Sequence, residues 1–210
     1  MQIPKMAVDG YSVLMPPGWD RIPLTSKPET QDAIKTIVDK AIAGNVDPAA
    51  PKDRVTDARL ELHKRLNRTA TEARRKNGID IYIPVEPIRG FLAPASFLVS
   101  KITPGVAAQV SPAETMRHLT KDFGPSEDVT LDGVAGVRCE RLVPAKPGDE
   151  DSAPSRQVTY VVPVPDPEEV SEWLVISFTL LTPEGLPREF AELLSELFDA
   201  SMTTFRWSPA

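Results

Sequence analysis

The sequence predicts an α+β protein: a mainly antiparallel sheet packed by helices on one or both faces, with an extra helical pair at about residues 30–77 inserted after the first strand. Three observations carry that prediction. Short strand-like runs alternate with helix-like periodicity along the chain. The later strands are joined by Asp132-Gly133, a favoured two-residue hairpin turn. Proline, 22 of 210 residues against a usual share of about 5%, falls mostly between the periodic segments and marks their boundaries. A chain of this length supports one sizeable core, so residues 1–210 are expected to form a single domain with a helical insertion or arm at about 30–77.

The elements follow in order. Tyr11-Ser12-Val13-Leu14-Met15 is a β-like run stopped by Pro16-Pro17-Gly18, with Trp19 just beyond it to anchor the turn. From Thr30 to Ala43, the residues Ile34, Ile37, Val38, Ala41 and Ile42 form one apolar helical stripe, and Gly44 is a suitable stop. After a loop at 45–51, the stretch 53–77 repeats the pattern through Val55, Ala58, Leu62, Leu66, Thr69 and Ala73, a long and narrow stripe. Ile79–Val85 alternates with period 2 and reads as a strand, with Pro84 pushing it toward an edge or a bulge. Phe97–Ile102 is a second strand.

Ser111-Pro112-Ala113-Glu114 combines an N-cap, a proline at the first helical position and a capping-box glutamate. The helix it opens carries Met116, Leu119 and Phe123 and is expected to end at Gly124-Pro125. Val129–Leu131 and Val137–Val143 flank the hairpin turn, and Gln157–Val164 lies beyond a polar loop holding Asp149, Glu150 and Asp151. Trp173–Thr182 is mostly apolar, as in a strand covered on both faces. The last helix, Pro187–Met202, places Phe190, Leu194, Leu197, Phe198 and Ser201 on one face, and Phe205 and Trp207 continue that anchor.

Three short strings resemble the PsbP-like superfamily: Tyr11–Trp19, a strand running into a Pro-Gly-Trp turn; Leu131-Asp132-Gly133-Val134-Ala135-Gly136-Val137, a hairpin of small residues; and Phe198–Trp207, a closing helix that ends in an aromatic. That superfamily includes the photosystem extrinsic subunit P, the yeast Ran-binding import protein, LpqN-type actinobacterial lipoproteins and the Eag chaperones of type VI secretion. The resemblance covers roughly 11–24 and 111–207, and the two helices at 30–77 depart from it. It implies an antiparallel sheet between helices and a bacterial module that binds other proteins or ligands. It carries no catalytic residue to this chain, because the superfamily has no common active site.

Composition narrows the function classes. The net charge of −6 argues against a general nucleic-acid binder. A lone cysteine, Cys139, forms no internal disulfide, and the first residues show no signal-peptide run, so a cytoplasmic protein without a membrane span is expected. His63 and His118 stand at no zinc-site spacing from Cys139 and have no neighbouring Ser, Cys or carboxylate in a catalytic motif; both read as ordinary, partly buried histidines. Asp149, Glu150 and Asp151 lack the alternating ligand spacing of a calcium loop. Gly133-Val134-Ala135-Gly136 opens no helix and is hairpin chemistry rather than a phosphate loop. Neither a catalytic residue, a metal site nor a cofactor is expected.

Charge is unevenly spread. Residues 54–76 hold Arg54, Arg59, Lys64, Arg65, Arg68, Arg74, Arg75 and Lys76 against Asp57, Glu61 and Glu72, eight basic residues to three acidic ones in an acidic chain. Such a face can steer an acidic partner, and Arg54, Arg65, Arg68 and Arg75 are the expected partner-binding residues. The plain alternative is a solvated face laced with i, i+4 pairs such as Glu61–Arg65 and Glu72–Lys76. The expected function is therefore a non-enzymatic, cytoplasmic protein-binding adaptor or chaperone-like module, its partner another protein of acidic character. Two other readings stay open: a small-molecule binder or enzyme whose pocket leaves no motif, where Arg138, Arg141 and Glu140 near Cys139 are the residues to inspect, and a homodimer or larger oligomer built through the long helix.

Overall fold

A computed structural model describes residues 6–45, 51–87, 90–104, 111–145, 147–148, 152–168 and 170–210. Most of the expected loop at 45–51 and the acidic triplet Asp149, Glu150 and Asp151 lie outside the described residues. The elements are β1 (Val8–Ser12), β2 (Trp19–Pro23), α1 (Lys27–Asn45), α2 (Lys52–Arg75), β3 (Gly78–Pro84), β4 (Ala95–Ile102), α3 (Pro112–Thr120), β5 (Ser126–Leu131), β6 (Val134–Val143), β7 (Ser155–Pro163), β8 (Trp173–Leu181), α4 (Arg188–Thr203) and β9 (Arg206–Pro209). The strands pair antiparallel and the class is α+β, as the hairpin chemistry and alternating runs predict. The chain forms two compact units, one of residues 17–100 and one of residues 1–16 with 101–210.

In the unit of residues 17–100, β3 lies between β2 and β4. Ile22 faces Ile81, which faces Leu98, so one side of this ladder is aliphatic. Helices α1 and α2 pack there: Ile34, Ile37, Val38, Ala70 and Ala73 share one core with Ile22, Ile81 and Val85. The stripe seen in the sequence is that core's helical half. Gln31 of α1 donates to Asn67 of α2 at 2.6 Å, and Asn67 Nδ2 lies 2.9 Å from His63 Nδ1, an amide chain that fixes the helix crossing. Pro84 does not put β3 at an edge; it is the last residue of an interior strand, and the bulge falls at the other end, between Gly78 and Asp80. Strand β2 was not foreseen, and Trp19 is its half-buried first residue rather than a turn anchor.

In the other unit, β5 to β8 form a meander in the order β8-β7-β6-β5. Alternation gives it two buried faces. Tyr160, Ile176 and Phe178 point to α4, where Phe198 stacks on Phe178 with centroids 4.9 Å apart and meets the Tyr160 ring edge at 5.7 Å. Val161, Trp173 and Val175 point the other way and pack with Met116 and Leu119 of α3. The capping box at Ser111 and Glu114 is present, with Pro112 at the first position. α3 stops at Thr120, before the expected Gly124-Pro125, and Phe123 packs from the turn that follows.

Asp132 and Gly133, with φ of 46° and 81°, make the hairpin turn that two positive-φ residues define. α4 buries Ala191, Leu194, Ser195, Phe198, Ser201 and Met202, whereas Phe190 and Leu197 are only half-buried because the inward arc is rotated slightly from the expected one. The anchor after α4 is itself a strand: β9 pairs with β1, and Phe205 lies between Tyr11 and Trp207.

Candidate functional site

The basic helix comes first. Of the eight cations at 54–76, along α2 and its C-cap Lys76, several are committed inside the protein. Arg74 donates to the Leu24 carbonyl at 2.8 Å and to Thr30 Oγ1, pinning the turn before α1. Arg59 pairs with Asp39 of α1. Arg65 pairs with Glu61 at 2.8 Å and Arg68 with Glu72 at 3.6 Å, both one helical turn apart. Glu61 is held below the ordinary carboxylate range chiefly by its hydrogen bond from Arg65. Glu72 therefore pairs with Arg68 rather than with the Lys76 read from the sequence.

That leaves Arg54, Lys64, Arg75 and Lys76 without an ion pair among the described residues, all four exposed. At 100° per residue, Lys64, Arg68 and Arg75 fall within one narrow arc of α2. Leu60, 64% exposed, borders it one turn below Lys64. The expected set Arg54, Arg65, Arg68 and Arg75 thus lies on the outer surface of one helix, but only Arg54 and Arg75 of the four are without an ion pair among the described residues.

The residues to inspect for a pocket behave differently. Arg138 projects from β6 toward α4 and is only 15% exposed in its side chain. Its Nε and Nη2 meet the Asp199 carboxylate at 3.0 and 2.9 Å in a two-point contact, Nη2 also reaches Glu140, and Nη1 reaches Glu127 at 3.1 Å. Tyr160 donates to Asp199 at 2.7 Å, and Arg156 donates to Glu140 at 2.6 Å. Burial works against the Arg138 charge, but Asp199 and Glu140 outweigh it and raise its pKa. The Tyr160 hydroxyl is likewise pushed up, by burial first and then by its bond to Asp199. Burial would raise Glu140, yet Arg138 and Arg156 win and hold its carboxylate low.

Arg138 from β6 and Tyr160 from β7 both donate to Asp199 of α4, so the cluster bolts α4 to the sheet. Arg141, on the other face, gives two hydrogen bonds to the side-chain Oε1 of Gln157, one to the backbone carbonyl of Asp122, and covers the Phe123 ring. Both arginines are engaged in contacts within the protein. Sequence reasoning singled out Arg138 but missed Asp199 and Tyr160; the sequence offers only an aspartate next to Phe198 in an amphipathic helix, without its partner.

Cys139 is fully buried, and burial raises its thiol pKa, against the smaller effect of the Arg138 charge; a thiol so placed is inert at neutral pH. His63 is tied to Asn67, and His118 is exposed on α3 rather than partly buried. Among the described residues no group of three His, Cys, Asp or Glu side chains is arranged to hold a metal ion. No described helix is long and apolar enough to cross a membrane.

One groove remains. It lies between α3 and the β5–β6 hairpin, holds about 600 Å³, and is lined by Met116, Arg117 and Thr120 on one wall and by Ser126, Asp128 and Val137 on the other. Its lining mixes apolar side chains, Met116 and Val137 among them, with polar ones such as Ser126, Asp128 and Thr130. No protein-family model matches the chain, and no curated protein matches it.

Proposed function

We propose that the chain is a non-enzymatic protein-binding module, adaptor or chaperone-like in action, whose exposed α2 face receives an acidic partner. One observation carries the reading: Arg54, Lys64, Arg75 and Lys76 are exposed and have no acidic partner among the described residues, in a protein of net charge −6. An unneutralised cationic stripe in an acidic molecule steers association with an anionic surface and repels a second copy of itself. Exposed Leu60 beside Lys64 supplies an apolar anchor to such a contact. The resemblance to the PsbP-like superfamily supports the same class, and the helix–sheet–helix layering of residues 101–210 fits the architecture that resemblance implies.

The test is affinity capture from the native organism's lysate with three baits: wild type, the triple variant Arg54→Glu, Lys64→Glu and Arg75→Glu, and the double variant Arg65→Glu and Arg68→Glu. A specific protein enriched by wild type, lost by the triple variant and released by raised salt is the expected result, with the double variant intermediate. The captured protein, repurified, should then bind the triple variant at least about tenfold more weakly, on the order of 1.4 kcal/mol. Retention of the same partner by the triple variant at low salt, or capture of nothing specific, rules the α2 face out.

A further inference from the structure

The groove beside β5 has a second property that α2 lacks: it runs along an open sheet edge. Among the described residues β5 ends the ladder, with β6 its only neighbour. The two-residue turn at Asp132-Gly133 closes on the pair Leu131–Val134, and such turns close on a hydrogen-bonded pair. Counting back by twos, Val129 and Glu127 also direct their backbone groups inward to β6. Pro125 continues the series, since its carbonyl accepts from the Glu140 N–H. Ser126, Asp128 and Thr130 therefore turn their backbone N–H and C=O outward. The same three residues pair across from Cys139, Val137 and Ala135, so their side chains stand on the α3 side and line the groove. Outward-facing backbone and groove-facing side chains belong to the same residues.

We propose that β5 is a docking edge for an extended, basic peptide segment, which adds as an antiparallel strand to Ser126, Asp128 and Thr130 and lays alternate side chains into the groove against α3. Register and charge define the occupant. A residue hydrogen-bonded opposite Asp128 places its side chain on the groove side, next to an exposed carboxylate that has no partner among the described residues. A lysine or arginine there satisfies that carboxylate while its alkyl stem covers Val137. Small hydroxyl residues two positions away on either side meet Ser126 and Thr130, a favourable cross-strand combination. Glu127, by contrast, is spoken for by Arg138 on the opposite face. A second copy of this chain is disfavoured, because antiparallel edge-to-edge pairing centred on Asp128 sets that carboxylate against its own equivalent. The acidic edge blocks self-association while accepting a basic strand. This surface is independent of the α2 face.

The probe is a blocked seven-residue peptide, Lys-Thr-Val-Lys-Val-Thr-Lys, with a fluorophore on one end and anisotropy as the readout. Its central lysine and flanking threonines share one side. Saturable binding to the full chain is expected, at least about tenfold weaker when the central lysine is glutamate. Asp128→Lys inverts that preference. N-methylation of the central lysine's backbone abolishes binding, whereas N-methylation of either valine leaves it intact. Thr130→Pro removes an outward N–H that the ladder does not use, so the variant keeps its fold and loses the peptide; Asp128→Lys, an exposed change, serves independently should the proline unfold the hairpin. Absence of saturable binding by either peptide overturns the proposal. So does binding that tolerates N-methylation of the central lysine but is lost on Met116→Lys, which assigns the groove to a side chain or small molecule instead of a strand.

Discussion

Helices α2 and α4 invite comparison because each covers one face of a sheet and they do so in opposite ways. α4 is 16 residues long and buries six of them; α2 is 24 residues long and buries only Ala70 and Ala73. Between Lys52 and Glu61 the only residue of α2 that is even half-buried is Val55. α4 spends its length on packing, through aromatic stacking at Phe198 and the ion pair at Asp199. α2 is anchored by its second half and displays its first. A helix held by so little apolar surface is free to vary its outer face without cost to the core, and that outer face is where the uncommitted cations stand.

The contrast is broken most forcefully at Phe198. Phe198→Ala removes the ring that touches both Phe178 and Tyr160, and the expected loss is about 3–5 kcal/mol in urea unfolding. A loss under about 1 kcal/mol would mean that α4 is held by its charges alone. A smaller effect, read through pH, comes from Glu140. Its carboxyl is held below the ordinary 4.5 by Arg138 and Arg156, against burial. A group depressed on folding stabilises the protein above its unfolded pKa and loses that contribution as pH falls through the folded value. The urea midpoint of wild type should fall between about pH 5 and pH 3, and Glu140→Gln should make that fall shallower. Equal slopes in the two proteins would remove Glu140 from the acid sensitivity.

The smallest effect belongs to α2. Leu60→Ser, on the displayed half, should change stability by no more than about 0.5 kcal/mol. A drop of about 2 kcal/mol would show that this half is packed rather than presented.

Which parts of this were readable beforehand follows from how local their causes are. The capping box at Ser111, the Asp132-Gly133 turn and the α1 stripe through Ile34 and Val38 are fixed by neighbours in sequence, and each stands where its residues place it. β2 and β9 are five and four residues long and bounded or ended by proline. Their strand character comes from partners far along the chain, β3 and β1, which no local pattern reveals. The candidate site divides the same way. The excess of cations on α2 is visible in composition, but which of them are committed depends on Asp39, Leu24 and Thr30 outside the helix. Asp199 lies 61 residues from Arg138, so their pairing was invisible until β6 and α4 were brought together.

Cys139 has a use of its own. The thiol is fully enclosed on β6, between the hairpin partner Ser126 and Thr159 of β7. A disulfide reagent cannot reach it while those three strands stay together, so the rate at which it is labelled clocks the spontaneous opening of the meander. The protein carries its own stopwatch for the one region where an added strand would slow the hands.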